Sequence, residues 1–220
     1  MGSSVILDYI GSTITFGILI VTVMRLNGSA SQNNYAYTQN YLLQRNMIVL
    51  TTMLEDDLRH VGVGIYNVDS MGTGGVLYAN FRDIKFRADL PPQDGKIDTI
   101  EWKLDTVTQV YSAPLNTRIR YLYRIVNSQS QKLGLGVTDF SIRYWNVYDA
   151  NQEIPSTNFP LTPTSAVSTG NIGPVSVSIR LESASRWTGM YMAATDTSEY
   201  QMLWRQIRTI SRNNRVQYIQ

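Results

Sequence analysis

The chain has 220 residues, a formal net charge of +2 and no cysteine. So small a charge, scattered among apolar residues, argues against nucleic-acid binding, and the lack of cysteine excludes disulfides, thiolate nucleophiles and cysteine-ligated metals. Hydrophobic residues make up 43% of the sequence and charged residues only 16%, which indicates that part of the chain faces something other than water.

The N-terminal segment is almost purely apolar. Residues 5–24, VILDYIGSTITFGILIVTVM, would span about 30 Å as an α-helix, the thickness of a bilayer's hydrocarbon layer. Asp8 is the only charged residue there, and Gly11 and Gly17 permit close approach of another helix. The segment predicts a helix that packs in a membrane or filament core. A helix buried in its own soluble domain is the alternative, and a secretory signal is disfavoured because no basic residue precedes the apolar run.

A polar stretch and a second periodic segment follow. In LNGSASQNNYAYTQN, Asn27 and Gly28 are expected to end or loosen the first helix. Residues 41–62 then predict an amphipathic helix, which Gly62 and Gly64 should stop. Its apolar positions recur at steps of three and four: Leu42, Leu43, Met47, Leu50, Met53, Leu54, Leu58 and Val61.

Beyond residue 64 the pattern predicts an antiparallel β-sheet, because short segments rich in Val, Ile, Thr and Tyr alternate with turn formers. In residues 118–125 one face is mostly apolar (Ile119, Tyr121, Tyr123, Ile125) and the other mostly basic. The apolar face is expected to pack under the helix at 47–58. Residues 152–172 predict a long surface loop, and the last 22 residues favour a strand over a helix.

The sequence therefore predicts an α+β fold, with a long N-terminal α-helix packed on an antiparallel β-sheet head. We divide it into an apolar transmembrane or filament-core helix (1–26), a polar hinge with an amphipathic helix (27–64) and a β-rich globular head (65–220).

Enzyme signatures are weak throughout. The single histidine, His60, lies near a predicted helix end, where the helix dipole favours it. Asp56 and Asp57 are adjacent, so they point about 100° apart on a helix and favour a solvated helix end over a metal site. The glycine clusters at 71–75 and 134–136 are too short for phosphate loops and indicate turns. We predict no catalytic, cofactor-binding or metal-binding residue.

The order of four phrases resembles type IV pilin-like proteins, in particular W-type minor pilins and J-type minor pseudopilins of type II secretion systems. The first phrase, LEDDLRHVG, places Asp57, Arg59 and Gly62 in the "DLR-x-x-G" helix end of that group. YLYRIV, GVTDFSIRYWNVYD and GPVSVSIRLES follow in the order of the group's strand phrases. Prepilins of that group usually carry a basic leader and a Glu at the fifth mature position. Here Gly2 has no basic leader before it and Asp8 is sixth counted from Ser3, so processing by a prepilin peptidase is left open.

The resemblance implies a non-enzymatic structural subunit of a pilus or pseudopilus, whose partners are itself or other pilin-like subunits. It implies a bacterial cell-envelope location: the inner membrane before assembly, and a periplasmic or extracellular filament afterwards. No cofactor and no small-molecule substrate are expected. The resemblance also implies that Asp8 pairs with the N-terminal amine of a neighbouring subunit, whereas a hydrated Asp8 at the membrane surface is the alternative.

Two other functions stay open on the sequence. One is a monotopic envelope protein whose head binds a protein partner through residues 152–172; the other is a soluble enzyme or binding module with an internal apolar helix. Taken alone, Arg25 after the apolar run would keep the head cytoplasmic, against the resemblance.

Overall fold

A computed structural model of the protein describes residues 2–65, 75–91, 95–112, 115–149, 151–165, 169–185, 200 and 202–209. Within these ranges the fold is α+β: one long N-terminal helix, α1 (Gly2–Arg59), precedes eight strands that pair only in antiparallel fashion. The predicted fold class is therefore confirmed.

Helix α1 is continuous for 58 residues, so it does not end at Asn27 and Gly28, one of the two outcomes expected there. A glycine inside a helix costs only about 1 kcal/mol relative to alanine, while each further residue extends an existing ladder of hydrogen bonds. Contacts also support the polar stretch: the Thr38 hydroxyl donates to Asn34 O at 2.9 Å, and the Tyr35 hydroxyl meets that of Ser185 on the head. The predicted amphipathic helix is thus the C-terminal half of α1.

The strands form two sheets, where the sequence suggested one. The first contains β1 (Val76–Asn80), β2 (Asp83–Ala88), β3 (Asp98–Gln109), β4 (Arg120–Val126) and β5 (Gln129–Leu133), in that spatial order. The second contains β6 (Val137–Asn146), β7 (Ile172–Glu182) and β8 (Met202–Thr209). Strand β8 lies within the last 22 residues, for which the sequence favoured a strand, and confirms that prediction for Met202–Thr209. Residues 199, 201 and 210–220 of that segment, and 71–74 of the first glycine cluster, lie outside the described residues.

One hydrophobic core joins α1 to both sheets. The helix contributes five buried apolar side chains and Val61 follows just beyond its end, whereas Met53 is partly buried and Leu42 is exposed. Fully buried core residues include Leu50 and Leu54 of the helix. In the first sheet they include Ile84, Phe86, Ile100, Trp102 and Leu122, and in the second Phe140, Tyr144, Val177, Ile179 and Leu181. The buried residues of α1 recur at steps of three and four, which places them on one stripe of the helix that faces the sheets.

Strand β4 presents the opposite face to the one expected. Leu122 is fully buried and Arg124 points at α1, whereas Tyr121 and Tyr123 are only partly buried and lie with their ring centres 6.5 Å apart. Lys132 of β5 covers Tyr121, with its Nζ 3.6 Å from the ring centre. Arg124 can lie on this inward face because α1 offers it a buried carboxylate, that of Asp57.

The loop at residues 152–172 lies on the surface but is fastened to the head. It contains the short 3-10 helices Ser156–Asn158 and Thr169–Asn171. Ile154 and Leu161 are buried, and Leu161 exchanges backbone hydrogen bonds with Ala79 of β1. Residues 166–168 lie outside the described part.

Candidate functional site

The N-terminal section of α1, residues 6–27, is exposed on all sides. Thirteen large apolar side chains lie there, with exposed fractions from 44% (Ile20) to 74% (Leu7). The section is about 33 Å long, and α1 is long and apolar enough to cross a membrane by length and composition. Burying one such side chain contributes about 1.5 to 3 kcal/mol, so burying thirteen contributes on the order of 20 kcal/mol. A single copy in water does not gain this free energy, because the section stays exposed.

The four serine and threonine hydroxyls of this section each form a hydrogen bond within the helix. The side chains of Thr13, Thr15 and Thr22 donate to carbonyls four residues earlier at 2.8, 2.9 and 2.8 Å, and Ser12 donates to Tyr9 O at 3.0 Å. These groups therefore need no water partner, and the section suits lipid or neighbouring helices.

Asp8 is the one ionisable carboxylate of this section. It is exposed, and among the side chains that the structure describes it has no hydrogen-bond or ion-pair partner. A carboxylate deep in a bilayer costs about 2.5 to 3.5 kcal/mol on insertion scales. Asp8 therefore needs a partner if it comes to lie among lipid tails or apolar helices.

Gly11 and Gly17 leave open space beside the helix, since a Cβ added at either would meet nothing within 4 Å. Gly11 lies three residues after Asp8 and four before Thr15, so these three share one helix face. Gly17 is six residues from Gly11, which places it about 120° around the axis. The two glycines thus admit neighbours on different faces.

The other end of α1 is fixed to the head by a buried ion pair. Asp57 is 2% exposed, so the solvated position expected for it is wrong. Its carboxylate accepts bidentate hydrogen bonds from Arg124, at 2.7 Å from Nε and 2.8 Å from Nη2. Trp102 Nε1 donates to it at 2.8 Å. The hydrogen bonds to Asp57 raise the pKa of Arg124 above its ordinary value. Asp56, in contrast, is 64% exposed.

Helix α1 ends at Arg59, whose side chain bonds to Glu55 at 2.5 Å. Gly62 and Gly64 follow with φ of +76° and +81°, a region that favours glycine. The Gly62 N–H donates to Arg87 O of β2 at 2.9 Å, which ties the turn to the first sheet. His60 Nδ1 lies 2.7 Å from Asp56 O.

Trp102 and Arg124 did not emerge from the sequence as functional residues. The available signal was the position of Asp57, which lies three residues after Leu54 and seven after Leu50 and so on the buried stripe. A buried acid requires a partner. Within the described ranges, no group of three or more His, Cys, Asp or Glu is placed to hold a metal ion.

No protein-family model matches the sequence, and no curated protein matches it. Among solved structures the chain is similar to a type IV-like pilin from Thermus thermophilus, with a TM-score of 0.44 and 11% sequence identity. The similarity covers 78% of this chain and 97% of that one. A likeness at this level does not by itself carry a shared function.

Proposed function

We propose that this protein is a structural subunit of a pilus- or pseudopilus-like filament in the bacterial cell envelope. The N-terminal section of α1 anchors it in the inner membrane before assembly. In the filament, periplasmic or extracellular, that section packs beside the helices of identical or other pilin-like subunits, and the head forms the outer surface. A relationship of this chain to W-type minor pilins and J-type minor pseudopilins is part of the proposal. The proposed role needs no cofactor and no substrate.

The observation that carries the proposal is the contrast between the two halves of one unbroken helix. Residues 6–27 are exposed on every side although most are apolar, whereas the stripe that begins at Leu43 packs on the head. A helix built only to complete the core of its own domain would bury its apolar residues. The exposed half therefore fits surroundings of lipid or sister helices, which a filament subunit meets in turn.

Truncation tests this proposal, because removing residues 1–26 leaves every buried residue of α1 in place. The truncated chain should be folded and soluble, while the full chain should float with membranes and form filaments. A full-length Ile18→Arg variant is the control, since it keeps the length but adds a charge to the apolar section. If the truncated chain is unfolded, α1 belongs to the core of a soluble domain and the proposal fails. If the full chain floats but micrographs show no filaments, the monotopic alternative replaces it.

Asp8 has a distinct part in this proposal: its carboxylate pairs with the N-terminal amine of a neighbouring subunit, which neutralises both charges and sets the axial register. Two observations support the role: Asp8 has no partner among the described residues, and most of its neighbours on the helix are apolar. Asp8→Ala and Asp8→Asn should both abolish or misalign filaments, whereas Asp56→Asn, on an exposed carboxylate of the same helix, should not. Normal assembly of both Asp8 variants would contradict the register role and leave the anchoring role intact.

A further inference from the structure

A cleft where the two sheets meet is lined by four arginines. Its volume is about 280 Å³, and its walls come from the β1–β2 turn, strands β3, β6 and β7, and the start of β4. Leu104, 5% exposed, is the one apolar residue among the described lining residues. The lining residues are Arg82, Leu104, Thr106, Arg118, Arg120, Thr138, Arg180 and Glu182. Four arginines against one glutamate leave an excess of three positive charges.

The single acid of the cleft is already engaged. Glu182 is 4% exposed, bonds to Arg118 at 2.8 Å and accepts a hydrogen bond from Asn116 at 2.9 Å. Arg120 donates to the backbone carbonyls of Thr117 at 2.5 Å and Ile119 at 3.3 Å, which position it without neutralising it. The arrangement holds two of the guanidinium groups in place.

Arg82 and Arg180 are exposed, and neither guanidinium has an ion pair or hydrogen bond among the described residues. Asp83 and Asp139 line a neighbouring cavity, which shares Arg82, Leu104 and Thr106 with the cleft. Asp139 lies opposite Arg180 in the pairing of β6 with β7, but neither acid makes a described ion pair with the cleft arginines. Like charges around one concave surface repel each other, and low-dielectric walls strengthen their field. Such a site attracts anions.

We propose that this cleft is a binding site for a multivalent oxyanion that carries phosphate or carboxylate groups. The planar guanidinium fork matches both groups with paired hydrogen bonds, which a lysine ammonium does not. The excess of three positive charges favours an anion with two or more negative charges over chloride. This site is separate from the apolar section of α1 and does not depend on assembly.

The test is calorimetric titration of the detergent-solubilised full chain with inorganic pyrophosphate and with citrate, at constant ionic strength. At least one should bind, and a response to one and not the other assigns phosphate or carboxylate. The Arg82→Gln/Arg180→Gln double variant should bind about tenfold more weakly per arginine removed. Arg143→Gln is the matched control, because Arg143 is a 62% exposed arginine of the same head outside the cleft; it should change the affinity less than about twofold.

Stability separates binding from folding. In low-salt buffer without multivalent anions, the double variant should melt at the wild-type temperature or above it, because two repelling charges are gone. The proposal is overturned if neither anion binds, if the double variant binds as tightly as the wild type, or if Arg143→Gln loses as much affinity. A lower melting temperature of the double variant would give the arginines a structural role instead.

Discussion

Removing either partner of the ion pair between Asp57 and Arg124 should destabilise the protein strongly, and by unequal amounts. Breaking a buried pair from one side costs about 3 to 5 kcal/mol, because it strands a charge away from water. The side chain of Asp57 is 3% exposed and that of Arg124 is 21% exposed. The stranded carboxylate is therefore the more costly of the two.

Arg124→Ala leaves the Asp57 carboxylate with the indole N–H of Trp102 as its described partner, so we expect a loss of about 5 kcal/mol in the free energy of unfolding. Asp57→Ala strands Arg124, which can reach water, and the loss should be about 3 kcal/mol. Replacing both at once, Asp57→Leu with Arg124→Met, leaves no buried charge. The Trp102 N–H alone then lacks a partner, so the double variant should lose only about 1 to 3 kcal/mol.

Urea unfolding of the full chain in detergent, followed by far-ultraviolet circular dichroism, measures these differences. Asp56→Ala is the matched control: its carboxylate is 64% exposed, and the change should stay within about 0.5 kcal/mol. Single variants no less stable than Asp56→Ala would refute the reasoning. So would a double variant that is less stable than either single variant, since a stranded charge would then not be the cause of the loss.

Two further changes test other parts of the molecule. Burial, followed by repulsion from Glu101, raises the pKa of Asp83 from 3.8 to about 6. The folded state thus keeps a proton that the unfolded state loses, so stability should fall between about pH 4 and pH 6, by roughly 1 to 2 kcal/mol because water screens part of the effect at this half-buried carboxyl. Asp83→Asn should remove this fall in urea midpoints; equal slopes in both proteins would contradict the assignment. Gly11→Leu and Gly17→Leu, tested separately, should leave the melting temperature unchanged or higher, because both sites are open, but should block filament assembly on the packed face. Ile20→Leu is the control, and filaments in both glycine variants would exclude close helix packing there.

Apolar spacing was sufficient to predict the fold class and the packed half of α1, because a residue such as Leu50 or Leu54 can be placed on a helix face without knowing what it touches. Which strands pair depends on contacts distant in sequence, so the division into two sheets could not be read from local patterns. The unbroken course of α1 through Gly28 was missed for another reason. The free-energy cost of one glycine inside a helix is smaller than the stabilisation that a cooperative helix gains when it continues past it.

The exposed apolar section with Asp8 could be predicted from composition alone, since no pairing had to be known. The inward turn of Arg124 could not. Its side chain was assigned to solvent because arginine is seldom buried, and the assignment reverses once an acid 67 positions away lies in the core. The arginine cleft was missed likewise, because Arg82 and Arg180 meet only after both sheets have formed.

The unbroken course of α1 has a mechanical consequence. Tyr35 is the residue nearest the N-terminus with a described hydrogen bond to the head, and from there to Gly2 the helix is a stiff arm about 50 Å long. A tilt of about 5° where the helix leaves the head moves the far tip sideways by about 4 Å, which is close to half the usual 8 to 10 Å between the axes of packed helices. The accuracy with which tips of neighbouring copies meet is therefore set at the opposite end of the arm, by how firmly the head grips it.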